Sequence, residues 1–107
     1  MRLTEERSEE ALHYLMETDE ECAILKTETE RRDYKAKAVQ SAIFKRSSGT
    51  VAERQALAEC SDEYDRAMED YFNALQAFEV IKNKRFTEEK VWDTWRTIQA
   101  NQRRGNV

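Results

Sequence analysis

Leu57–Ile81 reads LAECSDEYDRAMEDYFNALQAFEVI. Leu57, Cys60, Tyr64, Ala67, Tyr71, Ala74, Phe78 and Ile81 recur at alternating steps of three and four, the seam of a heptad pattern. Period two, the mark of a strand, is absent here, so this stretch predicts a long helix. Alanines alternate with aromatics along the seam, so large side chains of a neighbouring helix can interdigitate over the small ones. Met68, Phe72 and Leu75 widen the apolar stripe enough for a second neighbour. Leu57, Tyr64, Tyr71, Phe72, Leu75 and Phe78 are therefore the candidate residues of an oligomer or partner interface.

The rest of the chain agrees with a helical class. Its 107 residues contain no Pro and only Gly49 and Gly105, and 37% are charged. Sheets need turns and β-branched runs that such a composition does not supply. At this length one domain, 1–107, is expected. An apolar content of 39% is low for a chain so short, which favours an oligomer or a docking module over a self-sufficient core.

Thr18-x-x-Glu21 and Thr50-x-x-Glu53 match the capping box, and Ser61 and Thr87 each precede two acidic residues. Gly49 follows Lys45, Arg46 and two serines, as a helix C-terminus requires. These signals predict a short helix over 4–17, a long one over 19–47, a turn at 47–50, a helix from 51 to 84 that bends near Ser61, and a last helix over 88–103. The fold class is all-α: a long antiparallel helical hairpin with short N- and C-terminal helices packed on it, a helical bundle expected to be oligomeric. In the first arm Cys22, Leu25, Ala36, Val39 and Ile43 keep the seam spacing, but Thr29 and Arg32 interrupt it. That segment is expected to pack through Arg and Lys stems around Tyr34 and Ala36.

Charge alternates in blocks. Residues 1–30 carry three basic and ten acidic groups, net −7; 31–46 carry net +5, 50–81 net −6 and 82–107 net +4. In a hairpin turning at 47–50, residue i lies beside about 97 − i, so the basic block 31–46 should neutralise the acidic block after the turn. The last helix should run near the acidic N-terminal segment. Such blocks select topology more than they add stability, since exposed pairs contribute only about 0.2–1 kcal/mol each.

Both tryptophans lie in Val91–Arg104, VWDTWRTIQANQRR. Val91, Trp95 and Ile98 share one helical face with Trp92 at its edge, which are core positions. Beyond Trp92, the stripe Trp92, Arg96, Gln99, Arg103, with Arg104 next to it, has the residue types that pair with phosphates and stack on a base. The core reading is preferred, because an overall pI near 5.1 gives no general field to steer a polyanion. Lys82, Lys84 and Arg85 are further candidate phosphate contacts.

Nothing in the chain suggests catalysis. No GxSxG, Gly-rich phosphate loop, HExxH or Cys/His pair occurs. Glu10-x-x-His13, with Glu17 a turn on, has the spacing of di-iron ligands, but His13 is the only histidine and a single copy is half a site. No metal and no cofactor are expected. Cys22 and Cys60 lack CxxC spacing and are expected to be small buried residues. No apolar run is long enough to span a bilayer and no leader h-region opens the chain, so a cytoplasmic setting without membrane contact is expected.

The segments HYLMETDEECAILKTE (13–28), AVQSAIFKRSSGTVAERQALAECSDEY (38–64) and VWDTWRTIQANQR (91–103) together resemble the small all-helical accessory proteins of bacteriophages and prophages that accompany DNA recombination and replication. The resemblance lies in the helical pattern, the turn Gly49 to Arg54 and the ending Trp95-Arg96. It implies a phage or bacterial cytosol and a partner that is DNA or a DNA-processing protein. It carries no catalytic residues. The reading is a non-enzymatic helical protein–protein interaction or assembly protein that associates with itself and another protein; DNA binding through the C-terminal basic helix is the alternative.

Overall fold

The computed structural model describes residues 2–105. It is all-helical: α1 spans Glu5–Arg46, α2 Val51–Glu59 and α3 Asp62–Gly105, with no strand among the described residues.

The four expected helices are three, because two of the cap signals are not used as caps. Thr18 lies inside α1 and its hydroxyl donates to the Tyr14 carbonyl at 2.7 Å. Thr87 lies inside α3 and donates to the Asn83 carbonyl at 3.2 Å. With no Gly or Pro between Glu5 and Arg46, or between Asp62 and Arg104, nothing forces either helix to stop. The short terminal helices are thus parts of the 42-residue α1 and the 44-residue α3.

The signals around the turns do act as read. Thr4 accepts from the Arg7 N–H at 3.1 Å and opens α1. Thr50 accepts from the Glu53 N–H at 3.1 Å and opens α2. Gly49 carries φ +114°, and a Cβ there would stand 2.5 Å from Glu53 Oε2, so the turn needs glycine. Arg54 crosses the turn: its Nε donates to the Phe44 carbonyl at 3.0 Å and its guanidinium lies 4.2 Å from the Phe44 ring centre. It thereby satisfies one of the carbonyls that the end of α1 leaves open. At Ser61 the expected bend is a break. The hydroxyl donates to the Ala58 carbonyl at 2.9 Å and accepts from the Tyr64 N–H at 3.1 Å, closing α2 and opening α3 at once.

The chain divides into two compact units. The second, Ile24–Phe78, holds the turn, α2 and the adjoining parts of α1 and α3. Ala36, Ile43 and Ala58 are buried there, and Tyr64, Ala67, Tyr71, Ala74 and Phe78 are half-buried. Thr29 is buried because its hydroxyl donates to the Leu25 carbonyl at 2.8 Å, so no unpaired group enters the seam. Tyr34 is 77% exposed and is not part of the expected packing around Ala36, while Arg32 is half-buried beside Glu28 at 2.8 Å. Leu57 and Cys60 belong to α2 and its cap, not to the seam, because the break at Ser61 resets the helical phase; both are exposed.

The first unit, Met1–Ala23 with Glu79–Val107, contains the start of α1 and the end of α3. Ser8, Ala11, Thr18, Ile81 and Glu88 are buried, and Leu15, Trp92 and Trp95 are half-buried. In α3 the three–four alternation continues from Ile81 through Arg85, Glu88, Trp92, Trp95 and Gln99, all buried or half-buried. Charged residues thus occupy two successive seam positions. Among the described residues no helix is long and apolar enough to cross a membrane.

The expected cross-arm neutralisation is mostly replaced by pairs along single helices. In the basic block Arg31 and Arg32 pair with Glu28, and Lys37 with Asp33. Arg46 reaches Glu63 at 2.6 Å, further along the chain than the simple hairpin register puts it, because α2 intervenes. In the first unit the basic end does meet the acidic N-terminal segment, through Arg85 to Asp19 at 3.2 Å.

Candidate interaction surfaces

The six residues expected to form one interface belong to two surfaces of the second unit. Tyr64, Tyr71 and Phe78 are half-buried on the α3 seam. Phe72 is 53% exposed on the outer side, with the half-buried Met68 and Leu75 on its shoulders. Its ring is tilted against Tyr71, centres 5.4 Å apart, so one aromatic pair joins seam to surface. Leu57 is 55% exposed on α2 and lines an open hollow with Glu53, Ala56, Cys60, Ser61 and Asp62. From Asp62 the exposed residues Asp65, Glu69 and Phe72 continue along α3 at helical spacing. This outer surface is therefore apolar in patches and mainly acidic, with the exposed Arg66 one turn after Asp62 as its basic residue.

Glu63, beside it, has its carboxyl held below the ordinary range by the hydrogen bond and charge of Arg46. Among the described residues Asp62, Asp65 and Glu69 make no ion pair within 4 Å. Cys60, expected in a core, is exposed; its backbone N–H donates to the Ala56 carbonyl at 3.0 Å and ends α2. Cys22 is half-buried.

In the first unit the structure brings the proposed nucleic-acid stripe together. Trp92, Arg96, Gln99 and Arg103 line an open hollow of about 860 Å³ with Trp95, Ala100, Thr97, Asp93 and Glu5. Arg104 is exposed and outside that lining. Neither tryptophan is fully core or fully surface: both are half-buried. The hollow is amphoteric. Asp93 lies 3.9 Å from Arg96, and Glu5 is a second acidic residue of the lining.

The other candidate phosphate contacts have different work. Arg85 donates from Nη1 to the Leu15 carbonyl at 2.8 Å and to the Thr18 hydroxyl at 2.7 Å, and from Nη2 to Asp19. Lys84 stands 4.6 Å from the centre of the Tyr14 ring, and Lys82 lies 3.8 Å from Glu79. Close by, Arg7 grips Glu88 with two hydrogen bonds of 2.7 and 2.8 Å. The bonds from Arg7 hold the buried Glu88 carboxyl below its ordinary range, against the opposing effect of burial, and raise Arg7 further above its own. Sequence reasoning missed this layer, although the signal was present: stepping on from Phe78 and Ile81 by four and three lands on Arg85 and Glu88.

His13 is exposed, with Nδ1 3.5 Å from Glu17 Oε1, and Glu10 is exposed. Among the described residues no three His, Cys, Asp or Glu side chains are grouped to hold a metal. Compared with protein-family models, curated proteins and solved structures, the chain matches none.

Proposed function

We propose that this chain is a non-enzymatic helical assembly protein, an antiparallel helical hairpin that works by associating with itself and with a further protein, of the kind carried by phages and prophages. The observation that carries this reading is the thinness of the core. Among the described residues the largest side chain that is fully buried is that of Ser8, and the buried apolar residues are Ala11, Ala36, Ile43, Ala58 and Ile81. The seam aromatics Tyr64, Tyr71, Phe78, Trp92 and Trp95 are only half-buried, and Ile24, Val51, Leu57, Phe72, Val80 and Phe86 are more than half exposed. Oligomerisation would bury the aromatic faces and supply the hydrophobic stabilisation that the isolated chain lacks.

A second reading, DNA binding, is favoured by one observation: Trp92, Arg96, Gln99 and Arg103 share a hollow. Against it, Asp93 and Glu5 share that hollow too, and the basic residues Arg85 and Lys84 are engaged elsewhere. Sedimentation equilibrium with and without a fluorescent single-stranded oligonucleotide, at low and moderate salt, separates the two readings. Self-association without the oligonucleotide supports assembly. Oligonucleotide binding that falls steeply with salt, by a monomer, would replace it with the second reading.

A further inference from the structure

The outer stripe of α3 in the second unit and the tryptophan–arginine stripe in the first are complementary in chemistry, spacing and length. Asp62, Asp65, Glu69 and Phe72 follow one another at steps of three, four and three, and all four are exposed. Arg103, Gln99, Arg96 and Trp92, read backwards, follow at four, three and four, lining an open hollow. At about 1.5 Å rise per residue the two stripes are roughly 15 and 17 Å long. Set antiparallel, so that paired residue numbers add to 164 or 165, Asp62 meets Arg103, Asp65 meets Gln99, Glu69 meets Arg96 and Phe72 meets Trp92. Two ion pairs, one amide–carboxylate contact and one aromatic pair thus fall in a single register. No shift by one helical turn keeps both ion pairs and the aromatic pair.

We infer that the acidic Asp62–Phe72 stripe of one copy docks on the Trp92–Arg103 hollow of a second copy, in antiparallel orientation. The inference rests on the self-association proposed above and names its surfaces. It gives a use to three carboxylates that make no ion pair among the described residues, and to the half-buried Trp92. Asp93 and Glu5 in the hollow, and the exposed Arg66 beside Asp62 and Glu69, weaken the attraction, so the contact is salt-sensitive and reversible, and the aromatic pair supplies the part that salt does not screen. Each copy offers both halves of the contact.

The test is a charge exchange, read by sedimentation equilibrium of the full chain with helicity checked by circular dichroism. Asp62→Lys/Glu69→Lys and Arg96→Glu/Arg103→Glu should each weaken association about tenfold or more, because two attractive pairs become repulsive. The chain carrying all four substitutions should associate again to within about threefold of the natural one, because both pairs are restored with reversed polarity. If the natural chain associates and the double reversals leave its affinity unchanged, the inference fails and the assembly reading stands. Reversals that weaken association without recovery in the fourfold chain also overturn the inference. A natural chain that stays monomeric at high micromolar concentration overturns both.

Discussion

The two units of this chain are made from the same two helices with the same heptad spacing, yet they fill the seam differently. In the second unit, Tyr64, Tyr71 and Phe78 alternate with Ala67 and Ala74 along α3, and the buried residues of α1 are the small or branched Thr29, Ala36 and Ile43. In the first, Arg85 and Glu88 take two successive seam positions and find partners on α1: Thr18, Asp19 and the Leu15 carbonyl for one, Arg7 for the other. An aromatic–alanine seam supplies apolar area but is nearly indifferent to a slip by one heptad. A hydrogen-bonded charged layer supplies little net stability but tolerates one register. The apolar seam thus contributes burial, and the charged layer selects the register.

Substitutions should separate these roles. The largest effect is expected in the apolar unit: Ile43→Ala should destabilise by about 3 kcal/mol in chemical denaturation, because Ile43 is 4% exposed and a cavity would remain. Glu88→Ala comes next, at about 2–3 kcal/mol, since it leaves the Arg7 guanidinium half-buried without its partner. Arg7→Met combined with Glu88→Leu should restore most of that loss. If it does, the charged layer sets alignment rather than stability; a double variant as unstable as the single one would assign it both.

The same ion pair gives a pH signature. The folded-state value of Glu88 lies below its unfolded value, so its contribution is complete above the ordinary carboxylate range, near 4.3, and is lost as pH falls through the depressed value. The stability difference between the natural chain and Glu88→Gln should therefore be greatest at neutral pH and shrink on acidification. A difference that stays constant from pH 7 to pH 3 would mean that Arg7 does not stabilise the charged form.

Smaller effects concern the turn and the surface. Gly49→Ala should lose about 1 kcal/mol, since the backbone is at φ +114° and the new Cβ meets Glu53. Lys37→Ala, which removes an exposed pair with Asp33, should change stability by no more than a few tenths of a kcal/mol.

Sequence reading reached the helical class, the turn at Gly49, the Thr50 cap and the Ser61 junction, because glycine and a hydroxyl bonding to the backbone act locally. It divided α1 at Thr18 and α3 at Thr87 because the same hydroxyl chemistry serves a cap or a mid-helix bond to the preceding turn, and only the surroundings choose. At Thr18 the choice involves Arg85, sixty-seven residues away, which donates to the same hydroxyl. The candidate surfaces were legible in composition and only partly in position. Phe72 was separable from Tyr71 by helical angle, but Leu57 left the seam through a break whose effect on phase the heptad pattern did not show. Arg85 and Glu88 were hidden because a search for apolar residues passes over a charged seam.

In the proposed assembly, helices left partly exposed in one chain are covered by another. Thermal unfolding followed by circular dichroism, over a hundredfold range of protein concentration, is the test. If association and folding are coupled, Tm rises with concentration, and the rise is diminished at high salt and in Asp62→Lys/Glu69→Lys. A Tm that is the same at every concentration would contradict the account and leave a chain that is stable alone with its aromatic faces in water.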